Sequence, residues 1–335
     1  MMLKHDDQQT NLISRAIYRC DRFCLENAVP KSLSDRFINE SGSDLDNVRD
    51  ALTQYYFDGR LSHLDTPRGK HEMYQNLEGR LYNYRMLVVP WLNHISPVRG
   101  TRVLEVGCGT GSCSLALAEQ GADVTGVDIH EGSLRVAKER CEAIGLNVRF
   151  ILANASEIDQ SVDGMFDTVM FVAALEHMTT EEKLTSLAKA WQLIKPNGLL
   201  CIVDTPNRLW FVDGHTSDLP FYHWLPDDIA VAYSHFSPRE PFNTQLKDSV
   251  TQATLGLTRE GRCLSYHEIQ LAIRESQNPE VAGCMYEYLQ EHSIFRRLKW
   301  HLSSDSKYHR LLRKAAPGIH PAFMRPGFNL AIRRR

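Results

Sequence analysis

The rhythm of apolar and polar positions changes once along the chain, at Thr101. Before it, Leu12, Ile13, Ala16 and Ile17 recur at helical spacing, and so do Leu77, Leu81, Tyr84 and Leu87. Residues 1–97 therefore read as a helical extension, punctuated at Gly42–Ser43 and at Pro67–Arg68–Gly69, with Pro90 and Pro97 bracketing a linker. After it come five short, β-branched-rich runs: Val103–Val106, Val124–Ile129, Val148–Leu152, Thr168–Val172 and Leu199–Val203. Runs that are apolar almost throughout predict parallel strands covered on both faces. Helical stretches separate them at Ser112–Gln120, Ser133–Ile144 and Glu181–Ile194. The last starts at a capping-box spacing, Thr179 to Glu182, and Pro196–Asn197–Gly198 is expected to stop it. This alternation predicts an α/β fold with a doubly wound, mostly parallel sheet over residues 98–204. Beyond it lie an insertion at 205–264 and a C-terminal part at 265–335. That part has a helix starting near Ser265 and a last strand over Gly327–Ile332.

The first strand runs into Glu105-Val106-Gly107-Cys108-Gly109-Thr110-Gly111. Glycines there permit a tight turn and a close ligand approach, and the following helix aims its first N–H groups at that ligand. The second strand ends in Asp128, 21 positions after Gly107, where an acid can accept both hydroxyls of an adenosine ribose. A dinucleotide loop would carry a third glycine where this chain has Ser112.

VLEVGCGTG, VTGVDI, FDTVMFVAALEHM and IKPNGLL, in this order, resemble the motifs of class I S-adenosylmethionine (SAM)-dependent methyltransferases over about residues 100–205. The resemblance implies a seven-stranded Rossmann-like sheet whose final strand runs antiparallel beside strand five, with SAM as cofactor. It further implies that Gly107 and Gly109 face the methionine part of SAM, with Cys108 and Gly111 also cofactor-binding, while Glu105 orders the loop and the amino group. Asp128 would hold the ribose and Ile129 would lie against adenine. Asn154, Ala155 and Val172 would complete the cofactor site, with Asn154 standing where the family often has Asp. Leu175–Glu176–His177 matches the family's LEH tripeptide, either as a structural pair fixing the loop or as an acceptor contact with His177 moving a proton.

Methyl transfer from a sulfonium needs alignment and exclusion of water, and it needs a base only when the nucleophile carries a proton. Candidate bases are His177, His215 and His223, since imidazole titrates near neutrality. The last two lie in an aromatic, Pro- and His-rich stretch, Thr205–Pro226, where this class often places acceptor-binding insertions; its wording resembles a subgroup of bacterial small-molecule methyltransferases. A proline-braced structural loop is the alternative for it. A metal site from Asp213, His215, His223 and His235 matches no known ligand signature, so no metal is expected.

Composition places the chain among soluble globular proteins: 43% apolar and 24% charged, with no apolar run of membrane-spanning length. The polar start is unlike a secretory signal, and eight cysteines without a CxxC pair suit reduced thiols, so a cytoplasmic enzyme is expected. Net charge is −3, yet His292–Arg335 holds eleven Lys or Arg against Asp305 alone, +10 against −13 for the rest. Two helical patterns stand in that segment, Ile294/Phe295/Leu298/Leu302 and Tyr308/Leu311/Leu312/Ala315. They suit a lid packed by its apolar face, or an interfacial helix docking peripherally on a membrane. The expected function is methylation of a small molecule at oxygen: a saccharide, a quinone-like ring or a lipid-linked precursor. The alternatives are an RNA or protein methyltransferase using the basic tail, and a non-catalytic SAM-binding regulator.

Overall fold

The five apolar runs after Thr101 are the parallel strands of one sheet: β1 Arg102–Val106, β2 Asp123–Asp128, β3 Arg149–Leu152, β4 Phe166–Val172 and β5 Ile194–Pro206. The computed structural model describes residues 26–239, 250–273 and 279–335, so the pattern at Leu12–Ile17 lies outside the described residues. Two further strands, β6 Glu280–Cys284 and β7 Gly327–Arg333, complete the order β3-β2-β1-β4-β5-β7-β6. β7 runs antiparallel between β5 and β6, as the resemblance implies, with Cys201 opposite Ala331 and Val281 opposite Ile332. β6 adds to the reading of the C-terminal part, 265–335, as a helix and a last strand, because the sheet takes its edge strand from there too. The stop at Pro196–Asn197–Gly198 also shifts. The helix ends at Leu193 and these residues already belong to β5, with Asn197 at φ 65° donating its N–H to Arg334 O.

Strand alternation divides the core into two layers. Val103, Val124, Met170 and Cys201 face one side, packing on Leu81, Val88 and Trp91. Leu104, Val169, Phe171, Leu200 and Ile202 face the other, on Leu187, Trp191 and Ile269. Each such side chain contributes about 1.5–3 kcal/mol by leaving water, so both faces of the sheet are strongly specified. The capping box of Thr180–Leu193 forms as read, with Thr179 Oγ1 accepting from Glu182 N–H and Glu182 Oε2 accepting from Thr179 N–H.

The extension does not break at Pro90. Pro67–Ile95 is one helical run of α segments alternating with π turns at Gln75–Gly79 and Tyr84–Val88. Pro90 falls at the start of the segment Val89–Ile95, where the preceding turn is already widened and a missing N–H costs little. Buried Arg140, on the helix Glu131–Ala143, ties this run to the core helices, donating to Asn76 O, to Leu77 O at 3.2 Å and to Ser112 Oγ at 3.3 Å.

The basic segment forms two helices, Ile294–Leu302 and Ser304–Ala315. The first packs by only one member of the stripe that its periodicity singles out, half-buried Phe295. Ile294, Leu298 and Leu302 are 62, 57 and 77% exposed, while Trp300 turns inward beneath the Arg325 guanidinium, 4.6 Å from the ring centroid. The second docks through Tyr308, whose hydroxyl donates to Leu209 O and whose ring meets Trp210 and Phe211.

Candidate active site

The glycine loop leaves β1 and is pinned to the end of β2, Val127 O accepting from both Gly107 N–H and Cys108 N–H. Asp128 braces it from below. One carboxylate oxygen accepts from Gly109 N–H and the other from His130 N–H, each at 2.8 Å. All three glycines have positive φ, but their surroundings differ. A Cβ on Gly111 would stand 2.7 Å from Ala137 Cβ, whereas one on Gly109 would meet nothing within 4 Å. Gly111 is thus needed for packing, and Gly109 leaves open space on the carboxyl edge. Gly107 abuts Ala174 just beyond β4, so the loop and the end of β4 share one edge.

The other expected cofactor residues separate by where their side chains go. Glu105 is buried, accepts from Ser114 Oγ at 2.5 Å, and is pushed up to about 8 by burial. Ile129 is 72% exposed after β2, and Leu152, which the sequence reading passed over, is 55% exposed at the end of β3. Asn154 caps the turn Ala155–Glu157, its oxygen accepting from Ser156 N–H and Oγ–H. Two residues are corrected. The Cys108 thiol is buried beside Gly126, and Val172 belongs to the core, so each can offer only backbone to a ligand. The burial of Val172 could have been read from its place in a strand covered on both faces, whereas that of Cys108 depends on how the loop after β1 turns.

At the ends of β4 and β5 two non-glycine residues adopt positive φ, Ala173 at 49° and Asp204 at 54°. Between them the turn Leu175–His177 carries Glu176 inward. Glu176 Oε2 accepts from Thr205 Oγ1, and Oε1 is buried without a hydrogen-bond partner. His177 Nε2 and His215 Nε2 each lie 3.8 Å from that orphan oxygen, and the two rings are 5.5 Å apart. Burial pushes the Glu176 carboxyl up to about 8 and His215 down to about 4. His177 is lowered by the same cause.

The insertion delivers His215 through a buried hub. Asp213 accepts from the backbone N–H of His215, Thr216 and Ser217 and from Ser217 Oγ–H. Its other neighbour is His223 Nε2 at 2.9 Å, with both side chains essentially sealed from solvent. Burial alone would raise the Asp213 carboxyl, but His223 and these N–H groups hold it well below the usual carboxylate range. His223, sealed from solvent with its Nε2 2.9 Å from Asp213 Oδ1, is thereby held in this hub rather than in the trio. Of the four residues weighed as metal ligands, only His215 joins a ligand cluster among the described residues, and its companions are Glu176 and His177. Thr205, Thr216 and Arg259, which orient this trio, were not singled out from sequence. An apolar groove of about 470 Å³, lined by Phe221, Leu225, Ile229, Tyr233 and Phe236 among others, opens on the same insertion.

Comparison with known proteins agrees on the core. Residues 103–198 match the family model described as a methyltransferase domain. A ubiquinone biosynthesis O-methyltransferase of Dechloromonas aromatica (strain RCB) is 34% identical over 129 residues, 38% of this chain and 54% of the relative. One of Pseudomonas aeruginosa (strain UCBPP-PA14) is 32% identical over 128 residues, with the same coverage. The chain thus spans about half the length of the curated relatives it matches. Magnesium protoporphyrin IX methyltransferase from Synechocystis PCC 6803, solved with bound SAH, aligns with 46% of this chain and 69% of its own at 26% identity and a TM-score of 0.36. Residues 103–198 thus match a methyltransferase domain, and their strand order and glycine loop, braced by the acid after β2, are those that the resemblance to class I SAM-dependent methyltransferases implies.

Proposed function

We propose that this chain is a SAM-dependent methyltransferase acting on the oxygen of a small molecule, with a quinone-like ring the favoured acceptor. The observation that carries the reading is the convergence of Glu176, His177 and His215 on one point of the carboxyl edge, directly beside the glycine loop. The matching relatives are named as O-methyltransferases of ubiquinone biosynthesis, which supports oxygen and a ring of that kind.

Asp128 would accept from the ribose hydroxyls with the lone pairs its backbone contacts leave, and Ile129 and Leu152 would sandwich the adenine edge. Gly109 would give the methionine part room, and Asn154 and Ala155 would border the base. Glu105, near neutral when alone, would ionise against the cofactor's ammonium. SAM supplies an activated methyl carbon. Glu176, His177 and His215 would line the side on which the acceptor oxygen gives up its proton. Ala173 has no side-chain polar group to offer, so the acceptor would be held from the insertion's side.

Labelled-methyl transfer from SAM to catechol-type acceptors, run beside RNA and protein substrates, tests the reading. Transfer to the small ring alone is expected, and His215→Ala should cut turnover about 10²–10⁴-fold with SAM affinity unchanged. Transfer only to RNA or protein, or SAM binding without transfer to anything, would refute it.

For the basic helices we propose contact with an anionic membrane surface. Among the described residues no helix is long and apolar enough to cross a membrane. Ile294, Leu298 and Leu302 nevertheless form an exposed stripe flanked by Arg297 and Lys299. Each basic residue held at such a surface adds about 1 kcal/mol. Vesicles containing anionic lipid should float the chain at low salt but not the Leu298→Asp/Leu302→Asp variant; equal flotation of the two would exclude this helix as the anchor.

A further inference from the structure

Both histidines of the trio have their tautomer fixed by their surroundings. His177 Nδ1 lies 2.6 Å from Arg259 O, a carbonyl that can only accept, so the proton sits on Nδ1. His215 Nδ1 lies 3.0 Å from Thr216 Oγ1, whose own hydrogen is directed at Gly261 O at 3.0 Å, so Thr216 accepts from His215. Each Nε2 therefore carries a lone pair, and both lone-pair atoms stand 3.8 Å from the orphan Glu176 Oε1.

A separation of 3.8 Å is too long for hydrogen bonds. It is close to the edge of a tetrahedral site, where bonds of about 2.0–2.2 Å put ligand atoms roughly 3.3–3.6 Å apart. All three ligand atoms lie within 4.8 Å of one another. A buried carboxylate oxygen without a partner is rare and costly. A hydrogen-bonded Nδ1–H behind each ligating imidazole is how metal-binding histidines are held.

We propose that Glu176, His177 and His215 form a binding site for a divalent first-row cation, Zn²⁺ foremost, with its fourth position open toward the acceptor. The set contains two neutral imidazoles and one carboxyl, which loses its proton when the cation arrives. His215 belongs to the insertion and the other two to the core, so the cation joins the two parts across the acceptor site. Its role in transfer rests on the function proposed above: an acceptor hydroxyl bound at the open position loses its proton to water, and the resulting oxyanion attacks the methyl carbon as the C–S bond breaks.

The test uses the full chain freed of metal with EDTA and dialysed. Calorimetric titration with Zn²⁺ should give one ion per chain, and Co²⁺ should produce the visible absorption of a four-coordinate site. His215→Ala, at a partly exposed residue, should weaken Zn²⁺ by more than the about 10–100-fold expected for Thr216→Val, which keeps all three ligands but releases the His215 tautomer and the bond to Gly261 O. Glu176→Gln, checked for folding by its thermal melt, should behave as His215→Ala does. SAM binding is measured in parallel without metal. A parent chain that binds SAM but takes up no Zn²⁺, or a His215→Ala variant that binds Zn²⁺ like the parent, overturns the cation site. Zn²⁺ bound through the trio in a chain that binds no SAM would uphold the site and overturn the proposed function instead.

Discussion

Two glycines of the same loop should respond to substitution in opposite ways. Gly111 has φ +77°, and an added Cβ would sit 2.7 Å from Ala137 Cβ and 2.9 Å from its Cα, both fixed in the helix Glu131–Ala143. Gly111→Ala therefore combines a left-handed backbone cost of about 1–2 kcal/mol with an overpacking cost of about 1–3 kcal/mol. The sum, about 2–5 kcal/mol, corresponds to a melting-temperature drop of roughly 4–20 °C for a domain of this size. Gly109 has φ +52° and nothing within 4 Å of the added atom, so Gly109→Ala should cost only the backbone term. Gly109→Val, however, fills the space assigned to the methionine moiety and should abolish SAM binding in a chain that still melts cooperatively. Thermal melts without ligand, paired with calorimetric titration of SAM, separate the two effects. The assignment of the loop fails if Gly109→Val binds SAM like the parent, or if Gly111→Ala melts with it.

Asp213→Asn leaves His223 and the N–H groups of Thr216 and Ser217 facing an amide, and should destabilise by about 3–5 kcal/mol at neutral pH. The folded carboxyl titrates below the unfolded one, so its contribution is whole above about pH 4. It is lost as pH falls through and below that range. Urea titrations at pH 7 and pH 3 should show the gap between parent and variant closing with acid; a constant gap would refute the hub. Arg140→Met frees the carbonyls of Asn76 and Leu77 and should cost about 2–4 kcal/mol. Hydrogen exchange should then accelerate in Gln75–Val88 while β1 and β4 stay protected; uniform exchange would contradict the clamp.

The parallel core was legible because strands buried on both faces leave unbroken apolar runs, and because the loop after β1 needs its glycines. β6 was not: Glu-Val-Ala-Gly-Cys at 280–284 pairs through β7 alone and carries neither a long run nor clean alternation. The π turns of the extension leave no mark in a pattern that only counts apolar recurrence. The helix Ile294–Leu302 shows why an amphipathic stripe does not say which face is covered, since its inward contacts come from Phe295 and Trp300. Each member of the trio was picked out separately as polar and near the sheet edge. Their meeting was not legible, because His215 stands 38 positions after His177 and its approach depends on the Asp213 hub and on Thr216.

The most direct test is calorimetric titration of the full chain with SAM, repeated on Asp128→Ala. The parent should bind one SAM per chain. The variant loses two charge-assisted hydrogen bonds to the ribose, each worth about 1.5–3 kcal/mol, so its affinity should fall at least about a hundredfold. A parent chain that binds no SAM, or an Asp128→Ala variant that binds it equally well, would contradict the placement of the cofactor at the ends of β1 and β2.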